Sequence, residues 1–161
     1  MKKINYAILG VALGLSSMAN AAGYGVVDLA KVAESSSYLK QQEMSMEQAV
    51  KPQTAKLEQL NKEIEALREK AQAKGADQQQ LGTQFQAKVT EFQSIQQAVQ
   101  SKVQSTMQNT NKTFEARVKQ VAEQLRQENS LDMVFNKSSA LAYDQKFDLT
   151  DKMIQKVNAI K

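Results

Sequence analysis

The chain of 161 residues contains no histidine, no cysteine and no tryptophan, and it has a single proline. Without histidine or cysteine it can form no Ser-His-Asp arrangement, no thiolate nucleophile and no ordinary zinc site. The lack of cysteine also excludes disulfide bonds and a lipid-modified cysteine behind a leader sequence. These absences predict a protein that is not an enzyme and that needs no metal and no cofactor.

Catalysis by carboxylates needs neither histidine nor cysteine and so is not excluded, but the sequence gives it little support. The densest acidic set, Glu63, Glu65 and Glu69, alternates with basic residues. Such alternation is typical of the solvated face of a helix rather than of a catalytic pair. The six glycines form no phosphate-binding pattern. We therefore assign no catalytic residue, and a carboxylate-dependent enzyme of unfamiliar type stays open as an alternative.

The N-terminus has the pattern of a secretory signal peptide. Two lysines precede a mostly apolar run from Ile4 to Leu15, and Ala19-Asn20-Ala21 places small residues where a signal peptidase cuts. The apolar run is shorter than the roughly 18 to 20 residues that span a bilayer. We predict a signal peptide over residues 1–21, cleavage before Ala22 or Gly23, and export to the periplasm.

The charge of the chain argues against nucleic-acid binding. There are 21 Lys and Arg against 17 Asp and Glu, and loss of two lysines with the leader leaves 19 minus 17, or +2. Nucleic-acid binders concentrate basic residues in runs or on one face and interleave aromatic residues that stack on bases, whereas the basic residues here are scattered singly. We predict no nucleic-acid partner.

Residues 30–129 are dominated by helix formers, chiefly Gln, Glu, Lys, Ala and Leu. Apolar residues recur there at steps of three and four, the period of one helix face, and form two stripes. The first stripe is Leu57, Leu60, Ile64, Leu67 and Ala71, and the second is Leu81, Phe85, Val89, Phe92, Ile95, Val99, Val103, Met107, Phe114, Val118, Val121 and Leu125.

The residues between the two stripes predict a turn. Gly75 suits the left-handed residue that ends a helix, and Asp77 suits the N-cap of the next one. The stripes therefore predict an antiparallel helical hairpin whose second helix, residues 77–129, is about 80 Å long. Pro52 predicts a break in the first helix, with a shorter base helix before it and a straight arm after it.

The two ends of the chain predict a small β-rich base. Residues 24–29 fit a first strand, and residues 131–135 and 140–143 fit a hairpin around a polar turn. Residues 148–151 can cap a closing helix. The buried side of that helix would carry Leu149, Met153, Ile154, Val157 and Ile160. Three short strands are too few to enclose a core, so the base needs helices or other copies of the chain.

The order of these elements resembles the Skp family, also called OmpH-like, and the stretch from Leu131 to Lys161 is the most specific part of the resemblance. The resemblance implies a mainly α fold with a small β part. Residues 51–125 would form a helical hairpin arm, and residues 22–50 and 126–161 would form an oligomerisation base. By position, the oligomerisation residues would be Val26, Val27, Leu131, Met133, Phe135, Leu141 and Tyr143.

The resemblance also implies a function. Members of the family are periplasmic chaperones that use no ATP, built as homotrimers whose strands form a small barrel. Three arms enclose a cavity that holds unfolded outer-membrane proteins. Family members often carry strongly basic arms that are associated with acidic lipid. The distal arm here has Arg68, Lys70, Lys74 and Lys88 beside Glu69 and Asp77, which argues against direct contact with the membrane or with lipopolysaccharide.

Four arm residues are candidates for contact with an unfolded client: Met44, Phe85, Val89 and Ile95. Phe85 is more strongly expected to fill the seam of the hairpin, because it belongs to the second apolar stripe. Met44 lies away from the stripe of its own helix, and methionine adapts to irregular partners. Contact with a neighbouring subunit explains Met44 equally well.

A structural coiled-coil spacer or adaptor in the cell envelope is the main alternative, because helical arms alone fit many coiled-coil proteins. A spacer predicts one defined partner and no protection of unfolded proteins. Physical reasoning favours a holding function independently. Unfolded outer-membrane strands expose many weak apolar sites, and several arms can engage several sites at once.

Overall fold

The computed structural model of the chain describes residues 23–73, 75 and 77–161, so the predicted signal peptide, residues 1–21, lies outside the described residues. Helices make up most of these residues, as predicted. In chain order the elements are strand β1 (Tyr24–Val27), helices α1 (Leu29–Glu34), α2 (Ser37–Ala71) and α3 (Gln78–Glu128), strand β2 (Met133–Asn136) and helix α4 (Thr150–Ala159). Two 3-10 turns, Lys137–Ser139 and Gln145–Phe147, lie between β2 and α4.

Helices α2 and α3 form the predicted antiparallel hairpin. Gly75 has a φ of 82°, and the side chain of Asp77 accepts a hydrogen bond from the backbone N–H of Gln80 at 3.0 Å. Glycine adopts a positive φ at little cost, and the aspartate satisfies an amide that the first helical turn leaves free. The predicted turn and helix start are confirmed. Helix α3 has 51 residues, which corresponds to about 75 Å.

Pro52 does not interrupt α2, so the predicted break into two helices was wrong. The helix runs without a gap from Ser37 to Ala71. Proline removes one backbone donor and crowds the preceding turn. Packing of α3 along α2 offsets this cost.

The break in this part of the chain lies earlier than predicted, between α1 and α2. Ser35 is the C-cap of α1, and Ser36, which is 1% exposed, accepts the backbone N–H of Leu39 at 3.3 Å as the N-cap of α2. Serine competes with helical hydrogen bonding and favours helix ends. The short helix α1 therefore places the side chain of Val32 in the core of the base, and the arm begins only with α2.

The small sheet also differs from the prediction. Strands β1 and β2 are parallel, with Tyr24 opposite Met133 and Val26 opposite Phe135. The predicted hairpin between residues 131–135 and 140–143 is wrong, because the chain enters a 3-10 turn after β2 and residues 140–143 belong to no strand of the described chain. The described sheet thus has two strands where three were predicted. Parallel strands need a long crossover, which the helical arm provides.

The hydrophobic core lies in the base, where α1, α3, α4 and β1 meet. Its buried residues are Val27, Val32, Val121, Leu125, Leu149, Met153 and Val157. The predicted buried side of α4 is confirmed, since Ile154 and Ile160 pack against the same cluster. Among the described residues between 37 and 120, only Leu60 and Ile64 are buried. The base is therefore a small folded unit, and the arm is mostly surface.

Two glycines in contrasting surroundings test this packing. A Cβ on Gly25 would lie 2.6 Å from Cδ1 of the buried Leu149, whereas a Cβ on Gly82 in α3 would meet nothing within 4 Å. We expect Gly25→Ala to lower the free energy of unfolding by about 1–3 kcal/mol, because Leu149 must move. Gly82→Ala, the matched control, should raise it by about 0.5–1 kcal/mol through helix propensity. Urea unfolding followed by circular dichroism measures both changes, and a stabilising Gly25→Ala would contradict the packing of β1 on Leu149.

Candidate functional site

An exposed apolar surface lies on the outer face of the two-stranded sheet. Tyr24, Met133 and Phe135 are 45%, 53% and 40% exposed, and the rings of Tyr24 and Phe135 lie 6.0 Å apart. We call these three residues the base patch. Successive side chains of a strand point to opposite faces, so Val27 points inward to the core while Tyr24 points outward. The base patch is thus an apolar face that the rest of its own chain leaves uncovered.

The residues predicted for oligomerisation divide between this face and the interior. Three of them are exposed: Met133, Phe135 and Leu141. Three others are buried or packed against the core of the single chain: Val26, Val27 and Leu131. Tyr143 is half-buried, and its hydroxyl donates to Asp148 at 3.0 Å. Tyr24 was not among the predicted residues, although its position three residues before the inward-pointing Val27 places it on the opposite, outward face.

The four predicted client contacts do not form one surface. Met44 on α2 is 58% exposed, whereas Phe85, Val89 and Ile95 are half-buried along α3. The guanidinium of Arg68 on α2 lies 5.4 Å from the centre of the Phe85 ring, so the partner helix covers this ring. The seam position expected for Phe85 agrees with this contact. Client contact stays a prediction for all four residues.

Charged side chains connect the two helices in the distal half of the arm. The Lys88 ammonium lies 2.7 Å from Oε2 of Glu63 and 3.8 Å from Oε2 of Glu91, and the Lys56 ammonium lies 3.3 Å from Oε1 of Glu91. We call Lys56, Glu63, Lys88 and Glu91 the arm clamp. The Glu63–Lys88 and Lys56–Glu91 pairs cross between α2 and α3, so they oppose sliding of one helix along the other, whereas the Lys88–Glu91 pair lies within α3.

Glu63 is the most enclosed carboxylate of the arm clamp. The amide of Gln59 donates to its Oε1 at 2.7 Å. The contacts from Lys88 and Gln59 hold the pKa of Glu63 below its usual value, and Glu63 in turn raises the pKa of Lys88. Glu65 and Glu69 are exposed, as expected for a solvated face, whereas Glu63 is half-buried and its carboxylate joins the two helices.

A second polar cluster lies in the base, around a cavity of about 230 Å³. The backbone N–H of Asp28 donates to Oγ1 of Thr150 at 2.9 Å, and the Lys137 ammonium lies 3.2 Å from Oδ2 of Asp28. The backbone N–H of Lys31 and the Lys137 side chain hold the pKa of Asp28 low. Lys31 also pairs with Asp151 at 3.0 Å. Charges that are paired in this way suit a structural network that joins β1 to the turn after β2, rather than a reactive site.

The described residues, 23–73, 75 and 77–161, contain no cluster of three or more candidate metal ligands. None of the helices within these ranges combines the length and the apolar character that a membrane crossing requires.

The arm clamp makes the stability of the arm depend on pH. Because the pKa of Glu63 is lower in the folded chain than its ordinary 4.5, the ionised carboxylate favours folding. This contribution is complete above pH 4.5 and is lost as the pH falls through the lowered folded value. We expect Glu63→Gln to lower the thermal midpoint at neutral pH, and the difference from the parent to shrink as the pH falls below 4.5. Circular dichroism melts check this, with the exposed Glu65→Gln as control. A Glu63→Gln deficit that stays the same size as the pH falls would contradict the clamp.

The elements described above match one known protein family as a set. A family model described as outer membrane protein (OmpH-like) matches residues 23–157. A comparison with curated proteins found no match. The matched range includes both strands, the whole helical hairpin and most of α4, so the resemblance noted in the sequence is confirmed. The chain belongs to the OmpH-like family, which is a family of chaperones and not of enzymes.

Proposed function

We propose that this protein is an ATP-independent holdase of the periplasm, which binds unfolded outer-membrane proteins between helical arms and prevents their aggregation. One observation carries the proposal. The arm extends well beyond a base that has its own core, and between residues 37 and 120 its described buried residues are confined to Leu60 and Ile64 in the seam. The base does not need so long an arm, so the arm serves a partner outside its own chain. Membership of a chaperone family supports the same conclusion.

The chemistry of the arm suits a client without fixed structure. Unfolded outer-membrane strands alternate apolar and polar residues and therefore expose many small apolar sites. Several weak contacts made at once give useful affinity, and each one remains easy to release. Met44 is our first choice for such a contact, since it is exposed and flexible. Phe85, Val89 and Ile95 would contribute only where they reach the edge of the seam.

We also propose that the working form is a homotrimer assembled through the base patch. A two-stranded sheet is marginal in water unless other elements or other chains cover it. The base patch presents apolar side chains in one place, which is typical of a surface that meets another subunit. Three copies joined there would place three arms around one cavity, as the family resemblance implies.

The assembly is tested at Phe135. Phe135→Asp places a charge in the base patch, and we expect dissociation of the oligomer to single chains with little loss of helix, because Phe135 lies outside the core cluster. Met107→Asp is the matched control, an exposed apolar residue on the arm. Sedimentation velocity and circular dichroism measure the two properties. A Phe135→Asp chain that keeps the parent's sedimentation coefficient would show that the base patch is not the subunit contact.

The holding function is tested by shortening the arm. Deleting residues 60–92 and joining the ends through a short glycine-containing turn removes opposed lengths of α2 and α3 and leaves the base intact. We expect the oligomer to persist and client protection to be lost, because the walls of the cavity are gone. The measurement is light scattering of an unfolded outer-membrane barrel protein diluted from urea. Single changes at Phe85 or Val89 serve as controls and should have small effects.

The same experiment separates the holdase from the adaptor. A shortened form that assembles correctly and protects as well as the parent would refute the holdase. Loss of all protection by any single substitution along the arm would indicate one localised partner site, as a coiled-coil adaptor requires.

A further inference from the structure

The start of α2 is held by the end of α4. The side-chain oxygen of Asn158 accepts hydrogen bonds from the backbone N–H and the hydroxyl of Ser37, at 2.9 and 3.0 Å. The side-chain nitrogen of Asn158 donates to the carbonyl oxygen of Ser35 at 3.1 Å. The first N–H groups of a helix have no partner within it. Asn158 therefore acts as a helix cap that is supplied from the far end of the chain.

Arg117 of α3 reaches the same place. Its Nη1 donates to the carbonyl oxygen of Ile160 at 3.0 Å, and its guanidinium lies 4.2 Å from the centre of the Tyr38 ring. A cation over the face of a partly buried aromatic ring is attracted to it. This one side chain connects α3, the first turn of α2 and the residue that follows α4. We call Tyr38, Arg117 and Asn158 the root latch.

Between the root latch and the arm clamp, α2 packs on α3 through side chains that are at most half-buried. No residue of α2 from 38 to 59 is buried, and a groove of about 120 Å³ opens between the helices beside Leu39, Met46 and Met107. A two-helix arm bends when one helix slides along the other, and sliding is prevented only where side chains interlock. The side-chain contacts that join α2 to α3 thus lie at the root latch and, further along the arm, at the arm clamp with Leu60 and Ile64 and at Arg68 with Phe85.

We propose that the root latch positions the arm: by fixing the near end of α2, it keeps the arm at one angle to the base. Helix α3 continues into the core, so without the latch it alone would resist bending where the arm leaves the base. The tip lies about 55 Å along α3 from Phe114, at 1.5 Å per residue, so a small rotation at the root becomes a large displacement at the tip. That this angle sets the width of a client cavity rests on the proposed function.

The position of the arm can be measured directly because the chain has no cysteine of its own. Gln86→Cys on α3 and Gln155→Cys on α4, both exposed, accept spin labels. Dilution of the labelled protein into unlabelled full-length protein restricts electron–electron resonance to distances within one chain. We expect a narrow distance distribution in the parent. Asn158→Ala and Arg117→Ala should each at least double its width, with no loss of helix by circular dichroism.

Two further variants separate positioning from general loosening. Asn158→Asp keeps the oxygen that accepts from Ser37 but replaces the nitrogen that donates to Ser35, so it should broaden the distribution less than Asn158→Ala does. Lys156→Ala removes a 2.7 Å contact between α4 and Glu128 of α3 without touching α2, and should change nothing. Unchanged widths in both Asn158→Ala and Arg117→Ala would overturn the proposal. Equal broadening in Lys156→Ala would also overturn it, because the effect would then come from α4 as a whole.

Client protection, measured by light scattering on the unlabelled variants, decides the functional part. Broader distances together with weaker protection support a role of the root latch in holding clients. Broader distances with full protection contradict that role and leave the positioning of the arm supported. Failure of the parent protein itself to protect would contradict the proposed function and not the root latch.

Discussion

Helix α3 belongs to both the arm and the base, and the rest of the structure depends on this double role. At its C-terminal end Val121 and Leu125 are fully buried in the base, while most of its length has only α2 beside it. A long exposed helix takes most of its stability from a neighbour that covers its apolar face. The chain therefore needs α2 as a partner and a single apolar stripe on each helix. The remaining faces are free to be polar, which explains the abundance of glutamine in the arm.

The attachments of α2 to α3 divide into two kinds. An apolar seam with a helical period can form in more than one register, because shifting by whole turns restores similar contacts. The cross-helix pairs of Glu63 with Lys88 and of Lys56 with Glu91 differ between registers and so select one of them. Partly exposed ion pairs add little stability. Their contribution here is specificity, and Leu60 and Ile64 next to them supply the burial.

The parts of the fold that could be predicted from the sequence are those decided by near neighbours. The hairpin turn follows from Gly75 and Asp77, and the helices follow from a period of three and four residues. The errors concern contacts between distant residues. Pro52 is tolerated because packing on α3 outweighs a local preference. Strand β1 pairs with residues 109 positions further along, as the bond from Gly23 to Asp132 shows, and no local pattern specifies whether such a pairing is parallel.

In the candidate surfaces, too, the features set by near neighbours could be predicted, and the contacts between distant residues could not. The exposed side chains of Met133 and Phe135 could be anticipated, but the burial of Val26 and Val27 depends on α4 and on the turn before it. Asn158 and Ser37 are 121 positions apart, and an asparagine near the end of a chain gives no sign of its partner. A sequence can therefore indicate which side chains are suited to an interface or a cap. The fold alone decides which of them meet.

The distribution of exposed apolar groups separates two kinds of contact in the proposed holdase. In the base patch Tyr24, Met133 and Phe135 adjoin one another, so a partner would remove them from water together and would leave slowly. On the arm, Met44 is exposed on α2 and Met107 on α3, where it borders the groove beside Leu39 and Met46, so each offers a partner a small apolar area and a gain that is easily lost. Contiguity at the base suits permanent subunits, and small apolar areas along the arm suit a client that must be released. If the contiguous apolar surface lay on the arm and the small separate areas lay in the base, the chain would neither assemble nor release its client. The apolar residues of the arm must therefore remain in the seam.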